Sequence, residues 1–444
     1  MKRIAFAAFF AVSLLVAMTA RSQSEQGASY NDTARFLAGM PVSPGSPLAP
    51  IAEDPNIKQH AASFDSAFGT VEKNQLSKIR AWTAANLNES RPILFYMFGG
   101  PDFMYANVFF PNATTYVLSG LEPVGPIPDM LKLPRVSVIH SLRNIQNSLR
   151  SVLRLSYFIT AQMSQDLNSG PVSGTLPILY VFLARANKTI HDVTLVHLNE
   201  QGELFSGDGL RPLAPARGVK IVFSDQSGGP QKTLYYFSTN LADVRGKSIA
   251  LLHFTKGLGV GDSFVKSASY LMHSGEFSQV RNFVLENSSL ILQDDTGVPA
   301  RMFDTTKWQL RPYGRYVQPI PIFEGMYQTR LNEIYQRNPP RPIEFGVGYR
   351  WYPNESNLLL ALKSPSEITA SVGREPEIRT PPVTQAAAPP QQTFQPPSQQ
   401  VQFQPPPPRP QQDAGPAPFP FFFIPPPSPQ QLQAQPIYTH PIFR

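Results

Sequence analysis

Six consecutive apolar residues, Ile93-Leu94-Phe95-Tyr96-Met97-Phe98, stand between Pro92 and Gly99-Gly100. A strand with one wet face alternates apolar and polar side chains. A run with no polar position must be covered on both faces, which is the situation of a strand inside a helix-flanked parallel sheet. Gly99-Gly100-Pro101-Asp102 breaks the run, Phe103 to Phe110 suits a short helix ended by Pro111-Asn112, and Thr114 to Leu118 reads as the next strand. Strand, turn, helix, strand is a βαβ outline.

The rest of the middle chain follows the same alternation. Phe64 to Leu87 includes a helix by the spacing of Phe64, Phe68, Val71, Leu76, Ile79 and Trp82. Val138 to Leu167 reads as a long amphipathic helix, with Arg143, Arg150 and Arg154 off its apolar stripe. A helix is expected at Leu176 to Ala186 and strands at Val193–Leu198, Val219–Phe223 and Thr233–Phe237; Leu241–Phe254 is ambiguous. A second βαβ-like unit combines a strand at Phe264–Leu271, a helix at Phe277–Asn287 and a buried strand at Leu290–Leu292, stopped by Asp294-Asp295-Thr296-Gly297. Trp308–Gln318 and Phe345–Trp351 are expected strands, with a helix at Met326–Arg337 between them, and Leu358–Leu362 closes the body. The fold class is a mixed α/β layered domain built on βαβ-like units.

Lys2 and Arg3 precede an apolar run of 15 residues, Ile4 to Met18, and Ala20-Arg21-Ser22 offers a small-x-small processing site. This is the layout of a secretory signal peptide. The run is shorter than the roughly 20 residues a membrane-spanning helix needs, so no span is expected after processing. The chain has no cysteine, which excludes disulfides, thiolate metal sites, a cysteine nucleophile and a lipidated cysteine. An exported chain of this size without disulfides points to a periplasmic or extracellular bacterial protein. The formal charge of +7 falls once Lys2, Arg3 and Arg21 are removed, and the body has no concentrated run of basic residues. Nucleic acid is therefore not an expected partner.

The composition divides the chain into a signal peptide (1–22), an extended lead-in (23–62), one α/β body (63–365) and a tail (366–444). Of the 47 prolines, 20 lie in the last 65 residues, with glutamine filling much of the remainder. Such a tail is expected to stay disordered or to adopt polyproline II. Phe419, Phe421, Phe422 and Phe423 form an apolar cluster within it and are candidate partner-binding residues, docking on a cell-envelope component or another protein partner, or back on the body. Pro405-Pro406-Pro407-Pro408-Arg409-Pro410 is a spacer or a polyproline ligand.

The candidate site is acidic. Asp102, Glu122, Asp294 and Asp295 follow directly on expected strands, and open α/β sheets bind ligands outside the carboxyl ends of their strands. Paired carboxylates hold a divalent cation or divide acid and base roles. The same residues also fit structural work: Asp102 as a helix N-cap, Asp294-Asp295-Thr296-Gly297 as a turn. Lys256 to Ser263 is glycine-rich but lacks a phosphate-binding pattern and is expected as a flexible loop. His191 and His197 stand about 20 Å apart on a strand, too far for a shared metal.

Gly261-Asp262-Ser263 resembles the opening block of the GDSL-type lipases and esterases over three residues only, and no Asp-x-x-His follows to supply the base. Phe98-Gly99-Gly100-Pro101-Asp102-Phe103, Gly120-Leu121-Glu122-Pro123-Val124-Gly125 and Ile291-Leu292-Gln293-Asp294-Asp295-Thr296-Gly297 resemble segments of exported bacterial proteins of unassigned activity. That resemblance implies export and no chemistry. The expectation is an exported protein that binds a ligand or an envelope partner. The alternatives are a metal-assisted or carboxylate-based hydrolase using the acidic residues, and a structural envelope protein acting through its tail.

Overall fold

The computed structural model describes residues 28–380, apart from 159–162, 164–165, 168–171, 208–213, 369–372 and 374–375. The leader and the Phe419–Phe423 cluster lie outside the described residues. The chain runs through α1 (Tyr30–Leu37), α2 (Pro55–Val71), α3 (Ser77–Asn86), β1 (Ile93–Tyr96), α4 (Phe103–Phe109), β2 (Thr115–Gly120), α5 (Arg135–Leu155) and α6 (Leu176–Arg185). It continues through β3 (Lys188–Leu198), β4 (Leu204–Ser206), β5 (Ala216–Asp225), β6 (Lys232–Ser238), α7 (Ala250–Leu258) and β7 (Gly261–Val265). Then follow α8 (Ser278–Asn287), β8 (Ser288–Gln293), β9 (Trp308–Gly314), α9 (Thr329–Arg337) and β10 (Asn357–Lys363).

The strands form one mixed sheet of ten, in the order β4-β3-β5-β6-β2-β1-β7-β8-β10-β9. Its centre, β6-β2-β1-β7-β8, is parallel. Antiparallel pairings add β5, β3 and β4 on one side and β10 and β9 on the other. The apolar run thus lies in the middle of the sheet, as its composition requires. Leu94 and Tyr96 join the core on one face, under α1 to α6. Phe95 and Met97 join the core on the other, under α7 to α9. Full burial of a side chain such as Phe95 contributes about 2–3 kcal/mol. Helix α6 is buried over Leu176 to Ala184, because an all-apolar helix has no face that tolerates water.

From β1 the chain winds to β2 and on to β6, then returns to the other side of β1 to add β7 and β8. The strand order therefore reverses between β1 and β7. At such a switch point the loops leaving two neighbouring carboxyl ends diverge and open a crevice.

Several expectations need correction. Residues 28–62, read as an extended lead-in, fold into α1, a short turn of helix at Ala49–Ala52 and the start of α2, and they bury Ala34, Phe36, Leu37 and Leu48. Ser29 and Asp54 cap these helices, and Pro55 opens α2 rather than breaking it. The glycine-rich stretch is not a loop. Helix α7 runs to Leu258 and Gly261 begins a fully buried strand. A Cβ at Gly261 would lie 2.7 Å from the Ile93 carbonyl oxygen, so glycine is required for the close approach. Ser263 is buried in that strand with its Oγ 2.7 Å from Ser288 Oγ, which removes it as an exposed nucleophile. Phe345–Trp351 forms no strand; only a bridge between Val347 and Arg350 appears. The folded unit extends past 365 to Arg379, whose backbone pairs with Leu204 and Ser206 at the β4 edge.

Candidate functional site at the carboxyl edge

Asp102 follows β1 and caps α4, accepting the Tyr105 backbone N–H at 3.1 Å. Its other oxygen accepts the Tyr96 hydroxyl at 3.0 Å and meets Lys266 Nζ at 2.9 Å. Lys266 is the first residue after β7, so the ion pair joins the two strands that flank the switch point. Asp102 and Lys266 are 1% and 2% exposed. The ammonium also donates to the Ser156 carbonyl and lies 4.1 Å from the centre of the Tyr105 ring. A buried charge pair is tolerated when its remaining donors and acceptors are met in this way. Burial, reinforced by the Asp102 charge, holds the Tyr96 hydroxyl far above its ordinary titration range.

Beyond Lys266 the backbone is strained. Ser267, Ser269 and Tyr270 take φ values of 53°, 50° and 55°, each costing about 1–3 kcal/mol for a residue with a Cβ. The loop after β8 holds this segment. Asp294 accepts Ser267 N–H at 2.8 Å and Thr296 N–H at 2.9 Å, and Thr296 Oγ1 accepts Ala268 N–H at 2.7 Å. Asp295 accepts the Tyr270 hydroxyl at 2.5 Å and Asn357 Nδ2 at 3.1 Å. Burial raises both carboxyls above the usual range, and the charge of Asp295 raises Asp294 further. That outcome means desolvation outweighs all of these hydrogen bonds.

The chain itself fills the crevice. Gly348 (φ 71°) sits so close that a Cβ there would lie 2.1 Å from Asp294 Oδ2. Its carbonyl accepts Ser156 Oγ at 3.2 Å. The Tyr349 hydroxyl donates to the Ser267 carbonyl at 3.1 Å, and its ring packs 4.8 Å from that of Tyr157.

Glu122 follows β2 and turns back against it. Tyr236 donates to its carbonyl at 2.9 Å, and a Cβ on Gly120 would come within 2.6 Å of Oε2. The four acidic residues predicted from sequence therefore share one edge of the sheet but not one centre. Asp294 and Asp295 are neighbours, Asp102 is engaged by Lys266, and Glu122 stands with Tyr236. Among the described residues no three Asp, Glu or His side chains converge to hold a metal ion. Sequence reasoning missed Lys266, Tyr96, Ser156 and Tyr349. Lys266 stands directly after β7, but its partner Asp102 lies beyond the Gly99-Gly100-Pro101 turn that follows β1, and no local pattern in the sequence links the two.

No family model, curated protein or solved structure matches this chain.

Proposed function

We propose that the protein is an exported binding protein that engages an envelope partner through the loops at the carboxyl edge of its sheet. One observation carries this reading: among the described residues seven of the nine exposed large apolar side chains lie on those loops, the other two, Leu131 and Val136, standing just before and at the start of α5. Leu121 follows β2, Val244 follows β6, Met302 follows β8, Ile322, Met326 and Tyr327 follow β9, and Tyr352 precedes β10. Val244, Ile322 and Tyr352 are 54%, 48% and 49% exposed. Aromatic and methionine side chains in such a setting are typical of contact surfaces. Phe323 anchors the segment beneath them, its ring 5.2 Å from Tyr270 and 5.3 Å from Tyr349. The charged centre, closed and internally bonded, acts as the rigid base of that surface.

The test uses the full chain in its native cell with a photoreactive residue at Ile322, Met326 or Tyr352, and at exposed Lys73 as control. Edge positions are expected to give one shared adduct that Lys73 does not. Ile322→Glu with Met326→Glu should remove the Tyr352 adduct while leaving the melting temperature unchanged. No adduct from any edge position overturns the reading.

A carboxylate-based hydrolase is favoured by one feature, the raised carboxyls of Asp294 and Asp295 beside a strained backbone. Turnover of an ester, glycoside or phosphoester panel, lost in Asp295→Asn, would establish it over binding alone.

A further inference from the structure

The contact between Asp102 and Lys266 has two properties that an ordinary ion pair does not need. The first is dryness. Both side chains are almost completely buried, and so are the two tyrosines beside them, Tyr96 and Tyr105. The Tyr96 hydroxyl touches the carboxylate and the Tyr105 ring faces the ammonium. Holding two charges away from water is costly, and a step that removes both charges at once recovers that cost.

The second is that the two carboxylate oxygens are held differently. Oδ1 accepts the Tyr105 backbone N–H at 3.1 Å, a donor fixed by the first turn of α4. Oδ2 faces both the Tyr96 hydroxyl, at 3.0 Å, and Lys266 Nζ, at 2.9 Å. One oxygen is therefore polarised as a carbonyl oxygen would be, and the other is surrounded by protons, as a leaving oxygen must be. Nζ has one further acceptor, the Ser156 carbonyl.

We propose that Lys266 and Asp102 condense after folding, joining Nζ to Cγ in an internal amide with loss of one water. One proton first passes from Nζ to Oδ2 along the existing contact, leaving an amine beside a carboxylic acid. The Nζ lone pair then attacks Cγ. The N–C bond forms, and the carbonyl electron pair moves onto Oδ1, where the Tyr105 N–H stabilises it. A second proton passes from Nζ to Oδ2, the pair on Oδ1 re-forms the carbonyl, and the Cγ–Oδ2 bond breaks with its electrons going to oxygen. Oδ2 leaves as water, assisted by the hydrogen bond from Tyr96. The ammonium began with three protons and the amide nitrogen keeps one, which donates to the Ser156 carbonyl. The new carbonyl oxygen, Oδ1, retains the Tyr105 N–H. The step consumes no co-reactant.

Between free groups in water, hydrolysis opposes this condensation. Here β1 and β7 hold the two groups together, and well-oriented neighbours react with effective molarities of about 10⁵–10⁸ M. The buried site also excludes the water that hydrolysis would need. The chain has no cysteine, and an amide from 102 to 266 would constrain the unfolded chain as a long disulfide loop does. The bond would form whether or not the carboxyl-edge surface binds a partner.

The experiment takes the full chain, aged for days at neutral pH, and measures its intact mass under denaturing conditions. The mass should fall short of the sequence by one water. Protease digestion should give a branched peptide whose fragment ions place the linkage at Lys266 Nζ and Asp102. Lys266→Arg keeps the positive charge but has no amine to condense, and Asp102→Ala has no carboxyl; each should restore the missing mass. Should either variant fold poorly, the branched peptide of the unsubstituted chain still decides. The proposal is overturned by a full mass in the aged chain, by a water loss located at another residue (an aspartyl succinimide only), or by the same loss persisting in either variant.

Discussion

At the scale of single residues, burial decides the chemistry of this protein more often than charge pairing does. Asp262 shows it most simply. It lies fully buried in β7, accepts the Arg91 backbone N–H at 2.6 Å and Ser289 Oγ at 2.7 Å, and is still pushed up to about 6 by desolvation. The raised value fixes the sign of its pH effect. Between its ordinary 3.8 and about 6 the unfolded carboxyl ionises while the folded one keeps its proton, so stability falls as pH rises across that window. Asp262→Asn preserves both contacts, with Oδ1 accepting from Arg91 and Nδ2 donating to Ser289. It is expected to flatten stability between pH 4 and 6 and to stabilise the protein at pH 7 by about 3 kcal/mol. Urea titrations of both proteins at several pH values check this; an unchanged slope would refute it. Asp102, Glu122, Asp294 and Asp295 were legible because each follows an apolar run cut by Gly, Pro or a turn. Their partners were not, because a contact between Asp102 and Lys266 spans most of the fold and leaves no local pattern.

At the scale of elements, the 3.6 and 2.0 periods located the core helices and central strands, and failed where backbone geometry rather than polarity sets a boundary. The strand expected to run from Phe264 to Leu271 stops at Val265 because Ser267 turns to positive φ, which no glycine announces. The Pro- and Ser-rich lead-in concealed α1, since composition outweighed a five-residue patch of buried positions, Asp32, Thr33, Ala34, Phe36 and Leu37. Ser156 ends α5 in the left-handed region at φ 65° while its Oγ donates to Gly348. Ser156→Gly relieves about 1 kcal/mol of strain and loses a hydrogen bond of about 1 kcal/mol, so it should be close to neutral. Ser156→Ala keeps the strain and loses the bond, and is expected to be about 1 kcal/mol less stable than the glycine variant. Chemical denaturation of the pair tests that order.

At the scale of the molecule, the buried ion pair fastens the two halves of the sheet where they meet at β1 and β7. Lys266→Met strands the Asp102 carboxylate and should cost about 3–5 kcal/mol. With Asp102→Asn added, Oδ1 still caps α4 and Nδ2 donates to Tyr96. The double variant should then lose about 2 kcal/mol less than the sum of the singles, as measured by a double-mutant cycle in urea; simple additivity would show that the pair is uncoupled. The α/β class could be read from the chain, but the strand order could not, because parallel neighbours are chosen by packing between distant segments. The sheet's outer strands are guarded, with Pro312 in β9 and the Arg379 backbone against β4. The central strand is guarded only late. Strand β1 takes its second neighbour from the far half of the sequence, so a ribosome releases it long before that neighbour exists. During that interval an all-apolar strand has one raw edge. A cell that makes this protein must shield the nascent chain until β7 has emerged.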